Sequence, residues 1–299
     1  MTNVAVVIPA FNAAAHLPET LASLFAQTFD AFQALIVDDG SADDTAHVAA
    51  TTGDPRIGVL RVENGGVARA RNLGVAACDA DLIAFLDADD LWAPTKLERQ
   101  VEAMHATPEA GICVTGSVQI DAASRILKPM PIWQPDDVCA ALLLASMVVG
   151  CVSSGMVRRS AFEAVGGFDQ RFSQSADWDL WLRLGLESQF VVLDEPLVQY
   201  RTSPGNMSSN IRLLERDTFA VLDSFFAHPK AARYFSIRPL IYATHWRVCA
   251  GSYVNAGSRL QAVRCLLHAL RCQPDALLRP IRQSESRFAQ ATAVLQEPE

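Results

Sequence analysis

Three carboxylates stand in four positions at Asp87-Ala88-Asp89-Asp90. Like charges this close repel, and a cation or a hydrogen-bond network offsets the repulsion best. An all-oxygen ligand set favours a hard divalent ion, Mg2+ or Mn2+, which keeps positions open for substrate phosphates. The competing use is a helix N-cap, since Asp89 and Asp90 sit just ahead of Pro94. A second acidic loop, Asp38-Asp39-Gly40-Ser41, offers a carboxylate to a base N–H or a ribose hydroxyl, and a turn with an N-cap would use the same residues. Arg71, with Arg69 nearby, can pair with these aspartates or with a diphosphate. The Gly65-Gly66 pair is weak evidence for a phosphate loop. Further along, Asp177 and Asp179 are two residues apart, so on a helix they point away from each other. Asp179 is also spaced to pair with Arg183. Trp178, Trp181 and Phe172 could stack on an acceptor sugar ring or fill a core, and Trp178 neighbours Asp177.

The elements that must position these residues follow from hydrophobic period. The run from Val4 to Ile8, stopped by Pro9, reads as a strand buried on both faces. Leu17, Leu21, Leu24 and Phe25 recur at helical spacing within 16–28, with Pro18 suited to a first turn. Strands are expected at 33–37, 57–62 and 82–86, and helices from Asp43 or Asp44 and over 67–77. This alternation with short loops predicts βαβ units in a right-handed parallel sheet. Ligands bind beyond the carboxyl ends of such strands, where the loops are Pro9–Asn12, Asp38–Ser41 and Asp87–Asp90. Residues 91–210 are mixed, with helices expected at 94–105, 159–165 and 177–186 and strands at 111–120 and 190–193. From Val138 to Val157 there are twenty uncharged residues, long enough to span a bilayer. Ser146, Gly150, Ser153, Ser154 and Gly155 break the run, which reads instead as a short buried helix and then a buried strand from Met147 to Val157. Residues 211–272 read as helices.

Composition bounds the class. The chain has 299 residues, half of them apolar and 19% charged, which excludes disordered and low-complexity classes and allows roughly two domains. A net charge of −8 argues against a general nucleic-acid binder. Residues 1–130 carry 8 Lys and Arg against 17 Asp and Glu, whereas residues 211–299 carry 12 against 7. The basic tail suits an anionic membrane surface or a phosphorylated lipid acceptor, a solvated helix face being the plainer use. Seven cysteines, an odd number with no C-x-x-C pair, predict reduced thiols in a cytoplasmic protein and no zinc site. No signal peptide is expected, because Met1–Asn3 lacks basic residues and Pro9 ends the first apolar run early. In the tail, Trp246, Tyr253, Ala262, Leu266, Ala269 and Pro274 fall at spacings similar to one tetratricopeptide unit, which predicts a helical hairpin packed on the rest of the chain.

Taken together, VVIPAFNAAAHLPETLASLFAQTF, VDDGSADDT, NGGVARARNLGVAAC and FLDADDLWAPTKLE, in this order, resemble the family 2 glycosyltransferases. The resemblance continues through GMVRRSAFEAVGGFDQRFSQSADWDLWLRL and YRTSPGNMS, so it covers about residues 3–209. It implies a GT-A fold, that is, an α/β Rossmann-like mixed sheet flanked by helices. The domain at 1–210 would have a nucleotide-binding half at 1–95 and an acceptor-binding half at 96–210. A helical extension at 211–299 would follow. It also implies inverting transfer of a sugar from a nucleotide-sugar donor to a saccharide or lipid-linked acceptor hydroxyl, in cell-envelope or capsule biosynthesis at the inner face of the membrane. By the same resemblance Pro9, Ala10, Phe11, Asn12 and Asp39 match positions that hold the base and ribose, and Arg71 one near the base or diphosphate. Asp87 and Asp89 match the D-x-D motif that holds a ribose and a divalent cation, Mn2+ or Mg2+. Asp177 matches the general base and Trp178 falls beside it as an acceptor contact. Two positions depart from the pattern: Ala176 replaces a frequent Glu, and Ser203 stands where a metal-binding His is frequent. A sugar-1-phosphate nucleotidyltransferase would need a Gly-rich basic loop after the first strand, which PAFNAAAH lacks. A non-catalytic sugar-nucleotide or glycan-binding module is the third class, separable by donor turnover.

Overall fold

A computed structural model describes residues 3–274, apart from 131, 133, 146–150 and 203–209. The first half alternates as predicted: β1 (Val4–Ala10), α1 (Leu17–Phe25), β2 (Phe32–Asp38), α2 (Thr45–Ala50), β3 (Ile57–Arg61), α3 (Val67–Ala76) and β4 (Leu82–Phe85). There follow β5 (Leu91–Trp92), α4 (Lys96–Ala106), β6 (Ala110–Ile120), β7 (Ile126–Met130), α5 (Val138–Ala145), β8 (Gly155–Arg158), α6 (Arg159–Ala164), α7 (Ala176–Glu187) and β9 (Gln189–Arg201). The chain continues with α8 (Ile211–Ala227), α9 (Arg238–Asn255) and α10 (Arg259–Cys272).

The strands form a nine-stranded mixed sheet in the order β3-β2-β1-β4-β8-β6-β9-β5, with β7 on β6. β1 pairs in parallel with β2 and β4, and β2 with β3. Every residue of β1 is buried, as a continuous apolar run at the centre of a sheet covered on both faces must be. β8 runs antiparallel between β4 and β6, and this converts the parallel half into a mixed sheet. One core cluster lies on the α1 and α4 face and another on the face covered by α3, α5 and α7. The second cluster also takes in Val221, Leu222 and Phe225 of α8 and Ile241 of α9, so the C-terminal helices close the same core.

Two expectations change. The strand expected at 190–193 runs from Gln189 to Arg201, straight through Pro196. The register against β6 shifts between Thr115 and Gly116, where Gly116 faces Pro196. That irregularity accommodates a residue with no N–H to give to the ladder. The strand expected from Met147 begins only at Gly155, because Val152–Ser154 form a 3-10 turn; residues 146–150 lie outside the described residues. The helical hairpin of the tail is realised by α9 and α10, where Trp246 stacks on Phe219 and His268 at ring distances of 3.9 and 4.4 Å. No helix among the described residues is long and apolar enough to cross a membrane. All seven cysteines are free thiols.

Candidate active site

The carboxyl ends of β1, β2 and β4 open onto a cavity of about 650 Å3. Its wall includes Pro9, Ala10, Phe11, Asn12, Asp39, Arg71, Asp87, Asp89 and Asp177. Positions from Pro9 to Asp177 thus meet in one cleft, whose size is that of an ordinary small-molecule site.

Each acidic loop is held by its neighbours. Asp39 accepts hydrogen bonds from the backbone N–H of Gly65 at 2.9 Å and of Gly66 at 2.8 Å, and Asn64 donates its side-chain amide to the Asp39 carbonyl. The two glycine amides therefore serve Asp39 and do not form an open phosphate loop. Gly66 has φ of 89°, a conformation that glycine adopts at little steric cost. Asp38 is fully buried, and its Oδ1 accepts from the Ser41 N–H, so it makes the turn while Asp39 faces the cavity. Asn12 adopts φ of 50°, and its Oδ1 accepts from the Ala42 N–H, tying the first loop to the second. Phe11 is 54% exposed at the mouth.

Arg71 is buried in α3 and pairs with Asp87 at 2.6 Å. Its Nε–H is buried without a hydrogen-bond partner among the described residues, while other parts of the side chain line the cavity. Asp89 lines the cavity, and burial with the adjacent Asp87 charge pushes its carboxyl up to about 6. Its own backbone N–H and the Arg201 charge oppose that rise. Asp90 is different. It is fully buried, accepts from the Ser153 hydroxyl at 2.5 Å and from the Arg201 N–H at 2.9 Å, and is raised well above the usual carboxylate range by desolvation and its two acidic neighbours. Neither Asp89 nor Asp90 caps α4, which starts at Lys96 behind Thr95.

These residues fit a divalent cation of the magnesium type. Such an ion binds through one or two carboxylates and takes its remaining ligands from phosphates and water. Asp89 and Asp87 would supply the carboxylates, and no group of three or more His, Cys, Asp or Glu side chains converges among the described residues. Ser203 lies outside the described residues.

Asp177 sits in the first turn of α7 and lines the same cavity; its Oδ1 accepts from the Trp178 N–H at 2.8 Å. Burial raises its pKa, with the Arg71 charge pulling the other way. Asp179 faces the opposite side, 3% exposed, and accepts from Arg183 Nε at 2.9 Å, the pairing expected from the i+4 spacing. Trp178 does not face the cavity. Its indole N–H donates to the Leu142 carbonyl at 3.0 Å, and its ring packs on His245, 5.0 Å between centroids. The apolar side of α7 requires this, because the residue after Asp177 on a helix turns about 100° toward the α5 and α9 side.

A model of the family described as Glycosyl transferase family 2 matches residues 5–166, more than half of the chain. The chain belongs to glycosyl transferase family 2. Among family relatives, an uncharacterised glycosyltransferase of Rickettsia prowazekii is 30% identical over 204 residues, 66% of this chain and 63% of that protein. The Escherichia coli UDP-Glc:alpha-D-GlcNAc-diphosphoundecaprenol beta-1,3-glucosyltransferase WfgD is 27% identical over 242 residues, 80% of this chain and 92% of WfgD. The amylovoran biosynthesis glycosyltransferase AmsB of Erwinia amylovora is 31% identical over 211 residues, 65% of this chain and 68% of AmsB. This chain therefore spans somewhat less than two thirds of the Rickettsia prowazekii relative, and 31% of a Rickettsia felis one. Solved structures share the fold. S. aureus TarS 1-349 in complex with UDP aligns with a TM-score of 0.59 at 15% identity, over 94% of this chain and 93% of that one. The mannosyltransferase PcManGT of Pyrobaculum calidifontis, in complex with GDP-Man and Mn2+, aligns at 0.60 and 17%, over 97% and 86%. The fold of this family 2 chain is accordingly GT-A.

The family motifs did not reveal one residue. The Arg201 side chain is fully buried at the base of the cavity. It donates to the Asp89 carbonyl at 2.7 Å, to the Asp121 and Ala122 carbonyls at 3.1 and 3.2 Å, and to Glu19 at 2.7 Å. It fixes the backbone of the aspartate loop from 112 residues away in sequence. The only trace in the sequence is an Arg inside the Tyr200-Arg201-Thr202-Ser203 segment, with nothing to show that it turns inward.

Proposed function

We propose that the protein transfers a sugar, with inversion at the anomeric carbon, from a nucleotide-sugar to an acceptor hydroxyl. The observation that carries this reading is the meeting of Asp39, Arg71, Asp87, Asp89 and Asp177 on one cavity at the carboxyl ends of the parallel strands. The loop Pro9–Asn12 and Asp39 hold the nucleoside, with Phe11 at the mouth beside the base. Arg71, kept in place by Asp87 on the cavity wall, offers its positive charge to the diphosphate. A divalent cation held by Asp89 and Asp87, Mn2+ or Mg2+, supplies charge neutralisation to the departing diphosphate when bound. Asp177 takes the proton of the acceptor hydroxyl as the new bond forms. Its raised pKa makes it a better proton acceptor than an ordinary surface carboxylate. One displacement by one base accounts for inversion, and no second carboxylate is needed as nucleophile.

The names of WfgD, AmsB and the Myxococcus xanthus O-antigen biosynthesis protein RfbC support a saccharide or lipid-linked acceptor in polysaccharide biosynthesis. The outer side of α10 supports action at an anionic membrane surface. Leu260, Val263 and Leu267 are exposed there with Arg259 and Arg271, the helix carries no acidic residue, and Arg264 is taken up by Glu215 of α8. A cytoplasmic enzyme at the inner face of the membrane is the corresponding reading.

The test is a panel of nucleotide-sugars scored by thermal shift with and without Mn2+, followed by release of nucleoside diphosphate in the presence of saccharide acceptors. One donor should raise the melting temperature only with the ion and should turn over. A panel with neither stabilisation nor turnover would overturn the reading.

A further inference from the structure

The buried face of α8 carries one residue for which a purely packing helix has no use. Val221 and Phe225 follow Asp217 at intervals of four, so the three lie in one row, and Asp217 is fully buried among them. Burying a carboxylate is costly unless hydrogen bonds compensate it. Here they come from the loop in front of α7. Oδ2 of Asp217 accepts from the backbone N–H of Ser173 at 3.0 Å and of Gln174 at 3.1 Å, and from the Ser173 hydroxyl at 3.4 Å. Its Oδ1 accepts from Arg216 Nε at 3.0 Å and Nη2 at 2.7 Å. The Gln174 side-chain amide also donates, at 3.2 Å, to the carbonyl of Asn210, the residue that caps α8. The loop is thus fastened to the first two turns of α8. Ser173 and Gln174 stand just ahead of Asp177 in the chain and line the main cavity with it.

We infer that Asp217 is a positioning residue for the transfer. It holds the 173–174 loop, and through that loop the first turn of α7, so that the Asp177 carboxylate meets the acceptor hydroxyl. The inference rests on the glycosyl-transfer reading above and extends the reaction machinery into α8, beyond the residues that the family model matches. Three features favour positioning over packing alone. An apolar side chain at 217 would continue the row of Val221 and Phe225, but it would leave two loop N–H groups without their acceptor. Those two bonds come from the main chain, so they fix the path of the loop and not merely a rotamer. Ser175, at the N-cap of α7, makes no side-chain capping bond, so the entry into the helix depends on the residues before it. A shift of about 1 Å in a reacting group can cost about 10²-fold in rate.

The test compares Asp217→Ala and Asp217→Asn with wild type, all as the full chain. Alanine removes both carboxylate oxygens. Asparagine keeps one oxygen for the loop, and Arg216, largely exposed, can turn away from the new amide. Hydrogen–deuterium exchange over residues 170–178 reads the anchoring without any substrate. The donors are UDP-glucose, UDP-N-acetylglucosamine and GDP-mannose with Mn2+, and the acceptors are methyl glycosides. Exchange over 170–178 should rise in Asp217→Ala and stay near wild type in Asp217→Asn. Asp217→Ala should lower kcat about 10- to 100-fold, with the donor KM within about 2-fold of wild type. Asp217→Asn should recover most of that loss. Asp223→Asn, at an exposed position further along the same helix, alters only the partner of the Tyr242 hydroxyl and should leave kcat unchanged. Should the alanine variant not fold, Asp217→Ser, too short to reach both N–H groups, takes its place with the same expected loss. The inference is overturned if exchange over 170–178 is unchanged, if the loss variant keeps the wild-type kcat, or if Asp223→Asn slows transfer as much. Wild type that turns over no donor would count against the glycosyl-transfer reading, whereas an active wild type with an equally active Asp217→Ala would count against the positioning role alone.

Discussion

On the wall supplied by residues 9–90, nearly every polar side chain is fastened by a loop from another strand. The Asp39 carboxylate is held by the Gly65 and Gly66 N–H groups; Asn12 is held by Ala42 at its side chain and by the Ser41 hydroxyl at its N–H; Asp87 is held by Arg71 at its carboxylate and by the Ser153 hydroxyl at its N–H. On the wall supplied by α7 and the C-terminal helices, contacts are mainly apolar packing, and the carboxylate there on the main cavity, Asp177, is held by backbone N–H groups of its own helix turn. The difference follows from the elements. Loops after parallel strands bring free backbone N–H groups together, and these must be satisfied locally. Helices consume their own backbone groups and meet through side chains. The loop wall is preorganised for a charged donor. The helix wall suits a substrate that differs from enzyme to enzyme.

The comparison predicts that damage to the helix wall separates chemistry from donor binding. Asp177→Asn should lower kcat for transfer by about 10²–10⁴-fold. Its affinity for nucleoside diphosphate should stay near wild type by calorimetry, and an equal loss of both would place Asp177 on the donor side. Asp179→Asn, two residues away, should act on stability, costing about 1–3 kcal/mol through the loss of its charge opposite Arg183. A dead but fully stable Asp179→Asn would exchange the roles of the two carboxylates.

Damage to the loop wall should appear as lost order or lost binding. Arg201→Met removes the buried guanidinium that donates to three part-buried carbonyls and should cost about 2–4 kcal/mol in urea unfolding. Asp89→Ala should remove most of the Mn2+-dependent part of nucleotide binding, roughly 10- to 100-fold, with the unfolding midpoint little changed. Undiminished Mn2+-dependent binding would clear Asp89 of the role.

A smaller effect is expected behind the loop wall. Lys96 is fully buried, its ammonium 3.6 Å from the centre of the Trp92 ring with no hydrogen-bond partner among the described residues, and burial lowers its pKa to about 7. Between about 7 and the ordinary value of 10.5 the unfolded chain binds the proton that the folded chain has released. Stability contributed by this group therefore rises with pH across that window and is at its lowest below 7. Lys96→Met should be more stable than wild type by about 1–3 kcal/mol at pH 7. The gap should narrow toward pH 10, as measured by urea unfolding at both values; a constant gap would mean that the charge is already compensated. The smallest effect concerns α10. Vesicles containing acidic lipid should bind the protein weakly and release it with salt, because the Debye length at 0.15 M is only about 8 Å. Equal partitioning onto neutral vesicles would remove the arginines from that role.

The sequence by itself determined the alternation of β1 to β4, the loops that carry Asp39, Asp87 and Asp89, and the assignment of Asp179 to Arg183. These are local facts: the period of apolar residues, a carboxylate at a strand end, a spacing of four on a helix. The tertiary structure alone decided which way Trp178 faces, that Gly65 and Gly66 serve Asp39, and that Arg201 reaches back to the aspartate loop. Each of these depends on which distant segment lies alongside. β9 crosses Pro196 only because β6 offers an irregular register at Gly116, and that crossing carries Arg201 to its place. A sequence pattern encodes what a segment needs to bury; the partner that satisfies a buried donor is chosen when the segments pack.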